Sequence, residues 1–271
     1  MTKIYYFSAT GNSLWSAKKI AQIIAESNPA RETSPQEAEI CELHNIGIEA
    51  QQENIIIEAD AVIFVFPSYA YGMPLIVRHF VKKAKIKTPY AASLVTFGTT
   101  PRGTLGSILK ILKKKDIGKM FFEQIPAVEN YLAIFGTQKA ETINTRCEMQ
   151  EKATEEMARS IIERKENKVS TFSLLSLFVY SLFSLGAKIF YNFYQVSKKC
   201  TGCGICEKIC PVAAIVMKDG RPRFTSKCEH CQGCINLCPL RAIQFSRVRF
   251  GSPGYCRPGI QISDLKREKE K

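Results

Sequence analysis

Apolar residues along this chain follow two rhythms, and the switch between them marks out its elements. Residues 3–7 (K-I-Y-Y-F), 61–66 (A-V-I-F-V-F) and 91–97 (A-A-S-L-V-T-F) are short and nearly continuously apolar, the pattern of strands buried on both faces. Apolar positions at helical spacing follow at 14–25 (L-W-S-A-K-K-I-A-Q-I-I-A), about 74–85 and about 103–115. Weaker patterns place a strand near 39–43, another near 119–124 and a closing helix near 141–165. Strands alternating with helices predict an α/β fold with a doubly wound, parallel, five-stranded sheet.

The segments that follow the strands carry candidate chemistry. S-A-T-G-N-S at 8–13 joins the first strand to the first helix. Unpaired N–H groups and the helix dipole face such a loop, which makes it an anion site. Ser8, Thr10 and Ser13 add hydroxyls, and Gly11 permits close approach. The loop lacks the lysine of a triphosphate-binding loop, so a phosphate monoester suits it better. P-S-Y-A-Y-G-M-P follows the strand at 61–66, and the strand at 91–97 runs into G-T-T-P-R-G.

With these three loops in place, residues 1 to about 165 resemble a flavodoxin domain. The resemblance implies FMN, its phosphate held by Ser8, Ala9, Thr10, Gly11, Asn12 and Ser13. The isoalloxazine would lie between Pro67, Ser68, Tyr69, Ala70, Tyr71 and Gly72 on one loop and Phe97, Gly98, Thr99, Arg102 and Gly103 on another. Tyr69 and Tyr71 either stack on the flat ring or pack as ordinary loop residues. Arg102 departs from the family pattern, and a cation there would stabilise anionic reduced flavin. Asn130 and Tyr131 are expected to border the same site.

Cysteine spacing defines the other end of the chain. C-T-G-C-G-I-C-E-K-I-C-P begins at Cys200, and C-E-H-C-Q-G-C-I-N-L-C-P repeats it at Cys228. Three thiolates at this spacing wrap three corners of an iron–sulfur cube, and the fourth, ahead of a proline, serves the neighbouring cluster. One [4Fe–4S] cluster then takes Cys200, Cys203, Cys206 and Cys238, and the other takes Cys228, Cys231, Cys234 and Cys210. Gly202, Gly204 and Gly233 suit loops that must close tightly around a cube. Disulfides or structural zinc would leave the C-P ending of both halves unexplained. Residues 196 to about 245 resemble bacterial two-cluster ferredoxins, which implies a small α+β domain.

Between the two lies T-F-S-L-L-S-L-F-V-Y-S-L-F-S-L-G-A-K-I-F-Y-N-F-Y-Q at 171–195. Ser173, Ser176, Ser184, Lys188, Asn192 and Gln195 share one helical stripe, and the rest of the wheel is apolar. Three readings stand: a helix packed between the domains, an interfacial membrane helix or dimer contact, and a spanning helix. The third is disfavoured by the short, serine-rich apolar length before Lys188. Organisation is therefore read as a flavodoxin-like domain at 1–168, a connector at 169–195 and a ferredoxin domain with a charged tail at 196–271.

Charge narrows the partners. Of a formal net +13, residues 196–271 carry +9, which favours acidic redox proteins or anionic lipid unless the lysines merely solvate the surface. No basic stretch interleaved with aromatics points to nucleic acid. The odd remainder of Cys41, Cys147 and Cys256 argues against a disulfide framework, and the N-terminus has no leader pattern, so a cytoplasmic protein is expected. His44, His79 and His230 form no metal constellation, and His230 is read as facing solvent or tuning a cluster. The whole resembles the flavodoxin–ferredoxin fusion proteins of anaerobes, which implies electron transfer between clusters and FMN. The alternative is an FMN-dependent oxidoreductase that reduces a small substrate at the flavin.

Overall fold

The computed structural model describes residues 1–27, 41–169, 174–245 and 251–267. Glu39 and Ile40 of the expected second strand and Ser173 of the connector stripe lie outside the described residues.

The apolar runs become a sheet because each can be covered on both faces. β1 (Thr2–Tyr6) lies between β2 (Cys41–Asn45) and the lane formed by β3 (Ile56–Glu58) and β4 (Ala61–Pro67). β5 (Lys85–Phe97) follows, with β6 (Asp116–Pro126) at the far edge, and every pairing is parallel. The sequence did not point to β3. It pairs with β5 in the register that β4 continues, Ile56 opposite Lys85 and Val62 opposite Ala91. Six strands therefore fill five lanes, in the flavodoxin order 2-1-3-4-5.

Alternation along β4 sorts its side chains between two cores. Val62, Phe64 and Phe66 face α3 (Leu75–Lys83) and α4 (Thr104–Leu112), meeting Val77, Phe80, Leu105 and Ile108. Ala61, Ile63 and Val65 face α1 (Asn12–Glu26) and α6 (Ala140–Ile162), meeting Ile20, Ile24, Met157 and Ile161. Two one-turn helices, α2 (Ile46–Glu49) and α5 (Leu132–Phe135), complete the first unit.

The connector forms α7 (Leu174–Phe190). Among the described residues no helix is long and apolar enough to cross a membrane. A small α+β ferredoxin-like unit follows. β7 (Tyr194–Val196) pairs antiparallel with β10 (Ile243–Phe245), and β8 (Ile215–Lys218) with β9 (Arg221–Phe224). Its two helical turns, α8 (Ile205–Lys208) and α9 (Gly233–Asn236), each carry a motif cysteine. Left-handed backbone recurs at Gly202, Gly204 and Ala213 and again 28 residues on at His230, Gln232 and Arg241. Gly233, by contrast, is needed for a close approach: a β-carbon there would stand 2.9 Å from the Ala9 carbonyl oxygen.

The two units dock directly. Glu229, 7 % exposed, accepts the N–H groups of Leu75 (2.7 Å) and Ile76 (2.6 Å) at the start of α3. Asn236 Nδ2 donates to the Asn130 carbonyl (3.1 Å). After the ferredoxin pattern closes, the chain returns across the first unit instead of trailing into solvent. Arg257 N–H donates to the Thr10 carbonyl (2.9 Å), and its guanidinium lies 4.3 Å from the Trp15 ring centre. Ile260 and Leu265 pack with Leu14. Asp264, in the charged tail, pairs with Lys18 at 2.9 Å.

Candidate functional site

β1, β4, β5 and β6 end on one edge of the sheet, and the loops beyond them enclose a cavity of about 390 Å³. Ligands of such sheets lie outside the carboxyl ends of the strands where the order reverses, here between β1 and β4. Ser8, Ala9, Thr10, Asn12 and Ser13 line the cavity from the first loop, and Pro67, Ser68, Tyr69, Ala70 and Tyr71 from the second. Phe97, Gly98 and Thr99 line it from the third, and Asn130 and Tyr131 from the segment after β6.

Gly11, Gly72, Arg102 and Gly103, which the flavodoxin resemblance also assigned to the site, are not among the lining residues. Gly11 is set against the returning chain, where a β-carbon would come within 3.0 Å of Arg257 Cβ. Gly72 and Gly103 support α7, against Tyr180 and Ser176 respectively. The Arg102 guanidinium lies 5.4 Å from the Tyr71 ring centre on an exposed side chain, outside the cavity lining.

The first loop is built for an anion. α1 starts on Gly11 in left-handed conformation, with no side-chain cap and no acidic residue in its first turn. Its opening N–H groups have no intrahelical partners and sit at the positive end of the dipole. Ser8 Oγ accepts from Gly11 N–H at 3.2 Å. Ser13 and Thr96 hydroxyls share a bond of 2.9 Å, and Thr10 Oγ1 accepts from Asn130 Nδ2. The Asn12 amide is committed elsewhere, donating to the Val128 carbonyl (3.0 Å) and accepting from the Tyr255 hydroxyl (2.6 Å). Hydroxyls at an uncapped helix start fit a phosphate monoester.

The second loop is strained. Tyr69 and Gly72 exchange backbone hydrogen bonds of 2.8 and 2.9 Å, which forces Ala70 (φ 46°) and Tyr71 (φ 67°) into the left-handed region. Such conformations cost about 1 kcal/mol or more each and gather at functional sites. Tyr69 meets Phe7 edge-on at 6.3 Å, and burial, with Cys231 adding to it, pushes its hydroxyl pKa well above the usual range. Glu129 lies against Gly98 and accepts the N–H groups of Asn130 and Tyr131, each at 3.1 Å. Burial raises its pKa, and the two N–H bonds and Arg146 draw it back.

The opposite wall contains what the sequence did not place at this site. Val179, Phe183 and Phe190 of α7, Ile134 and Phe135 of α5, and His230 and Cys231 of the ferredoxin-like unit complete the lining. For the α7 residues the only signal was the apolar connector itself. His230 does not face solvent: it is 1 % exposed, against Phe190, Tyr194 and Phe245, and burial lowers its pKa to about 4.

The eight motif cysteines fall into two sets of neighbours. The Cys206 thiol feels Cys238, Cys203 and Cys200, whereas Cys234 feels Cys231, Cys228 and Cys210 first and Cys206 last. Burial pushes Cys206 up to about 12, Cys228 up to about 11, and Cys231 and Cys234 well above the thiol range. A bound cation would hold such sulfurs as thiolates. Equivalent N–H bonds reach Cys210 Sγ from Ala214 (3.2 Å) and Cys238 Sγ from Ala242 (3.3 Å). Among the described residues no three His, Cys, Asp or Glu side chains converge on a single-ion site. A cube gives each thiolate its own iron, so its ligand sulfurs need not converge on one point.

Residues 199–243 match the family model of the 4Fe-4S dicluster domain. The class is therefore a flavodoxin-like α/β unit followed by a small ferredoxin-like unit that matches that model. No curated protein matches the chain significantly. Solved structures similar to it include an azoreductase from Bacillus anthracis str. Sterne, 13 % identical over 60 % of this chain and 100 % of that one, with a TM-score of 0.37. A Streptococcus pneumonia TIGR4 flavodoxin is 17 % identical over 59 % and 98 %, with a TM-score of 0.33. An NAD(P)H:quinone oxidoreductase from Methanothermobacter marburgensis is 10 % identical over 62 % and 98 %, with a TM-score of 0.35. At these identities and scores their functions do not transfer to this chain.

Proposed function

We propose that the chain is an iron–sulfur flavoprotein that passes low-potential electrons between two [4Fe–4S] clusters and FMN. Cys200, Cys203, Cys206 and Cys238 hold one cluster, and Cys228, Cys231, Cys234 and Cys210 the other. Ser8, Thr10 and Ser13 receive the FMN phosphate, and the ring lies between the Tyr69–Tyr71 turn and Phe97, Gly98 and Thr99. Each cluster supplies one-electron chemistry at low potential, and FMN accepts one electron or two.

One observation carries this reading: Cys231 belongs to the second sulfur set and also lines the cavity. No separate domain motion is then required to bring the two centres together. Val179, Phe183 and Phe190 keep water from that side of the cavity, and Glu229 fixes the cysteine loop to α3. Cys203 is the exposed member of the first set, and Lys198 and Lys199 are exposed nearby in sequence. That surface suits an acidic redox partner protein.

The test is the full chain purified without oxygen. About eight irons and one FMN per chain, with flavin absorption over a broad thiolate-to-iron shoulder, are expected. Replacing Cys231 with Ser should lose iron from one set while FMN stays bound. Zinc in place of iron, or a chain that takes up no FMN, would overturn the proposal.

A further inference from the structure

α7 is mounted on the protein through Ser176, Tyr180 and Ala187. Ser176 and Ala187 are buried, and the Tyr180 hydroxyl donates to the Met73 carbonyl at 2.8 Å. The outward face is Leu175, Phe178, Leu182, Leu185 and Ile189, between 55 % and 68 % exposed. Leu174, at 72 %, and Phe193, at 58 %, prolong it at the two ends, and Ile134 (74 %) and Phe135 (43 %) are exposed at the cavity that Val179, Phe183 and Phe190 of α7 also line. A water-facing helix has the reverse arrangement, and a contiguous exposed apolar surface of this kind marks a docking site.

Charge chooses the occupant. Residues 167–206 contain Lys168, Lys188, Lys198 and Lys199 and no Asp or Glu. Arg78 lies over the Tyr180 ring at 6.0 Å, and Arg102 precedes Gly103, which touches Ser176. The 3-4-3-4 spacing of the outward residues would also suit a helix of a second copy. That copy, however, would present the same acid-free, cationic helix, with no opposite charge on either side of the seam. An anionic bilayer supplies both an apolar layer and negative headgroups. We infer that the outward face of α7 seats this protein on an anionic membrane surface, with the helix lying in the interface. The inference is independent of whether the cavity holds FMN.

Flotation of the full chain with vesicles tests it. The protein should float with phosphatidylglycerol-containing vesicles at low salt, at least tenfold less with phosphatidylcholine alone, and less again as salt is raised. Phe178→Ser, Leu182→Ser and Leu185→Ser should each weaken binding roughly tenfold. Because these side chains are exposed, cluster absorption and thermal unfolding should not change. A Leu182→Trp probe should shift its emission to the blue on anionic vesicles. The inference fails if no vesicle carries the protein. It fails equally if sedimentation shows a dimer that the three Ser variants dissociate, with no lipid bound.

Discussion

Glu229 latches the ferredoxin-like unit to the start of α3, and Glu229→Ala measures what that latch contributes. Its carboxyl meets two backbone N–H groups, at 2.7 and 2.6 Å, that open α3 and have no partner within that helix. Hydrogen bonds to a charged group contribute about 1.5–3 kcal/mol each. Burial offsets part of that, since it pushes the carboxyl up to about 7 while the two N–H bonds pull it down. Leu75 and Ile76 are half-buried, so water can replace some of the lost bonding. The net loss expected is about 2 kcal/mol, which lowers the first thermal transition by roughly 4–8 °C. Calorimetry under anaerobic conditions reads this, and limited proteolysis at the connector should quicken in parallel. Glu229→Gln, which keeps one acceptor and removes the buried charge, should fall between the two. If Glu229→Ala unfolds within about 1 °C of the parent and is cut no faster, the latch is not holding the domains.

Three further perturbations probe the interface and the cavity. Gly47→Ala should destabilise the docked form by about 1–3 kcal/mol, because a β-carbon there would stand 2.1 Å from the Pro211 carbonyl oxygen; thermal unfolding checks it. Ala70→Gly should leave stability unchanged or slightly raised, whereas Ala70→Val should lower it by more than about 1 kcal/mol, since a β-branched residue tolerates φ 46° poorly. The folded state raises the Glu129 pKa, so its stabilising share is full below the unfolded carboxyl value and is lost as pH rises through the folded one. Above that value Glu129→Gln should bind FMN several-fold more tightly than the parent, on the order of 1 kcal/mol, and below it no differently; a fluorescence titration across pH decides.

The strands buried on both faces were legible because burial leaves a continuous apolar run, as at Ala61–Pro67. β3 was not, since three residues cut off from β4 at Ala59 and Asp60 carry no period of their own. β5 begins six residues earlier than its apolar run suggests, at Lys85. Pro89 interrupts the pattern there, and the ladder to β6 skips it opposite Gly118, whose β-carbon would crowd the Pro89 carbonyl. That the first loop lines the cavity and that the cysteines group in two sets was legible because residue types at fixed spacing mark both, although Gly11 of that loop is turned to the returning chain. The far wall of the cavity was not, because Val179, Phe183, Phe190 and His230 reach it only through tertiary packing. The orientation of α7 was hidden for a related reason. An amphipathic pattern tells which residues share a face, and the rest of the protein decides which face is turned inward. The Tyr255–Leu265 return likewise carries no motif, yet Arg257 is 4 % exposed between the Thr10 carbonyl and the Gln150 side chain.

The most direct test of the account is the rate at which flavin is reduced after the clusters are loaded with electrons by a flash-generated reductant. If Cys231 joins the cavity to the second cluster, that rate should not depend on protein concentration and should collapse in Cys231→Ser while flavin stays bound. A rate that rises in proportion to protein concentration would mean that electrons pass between molecules, and the central claim would be wrong.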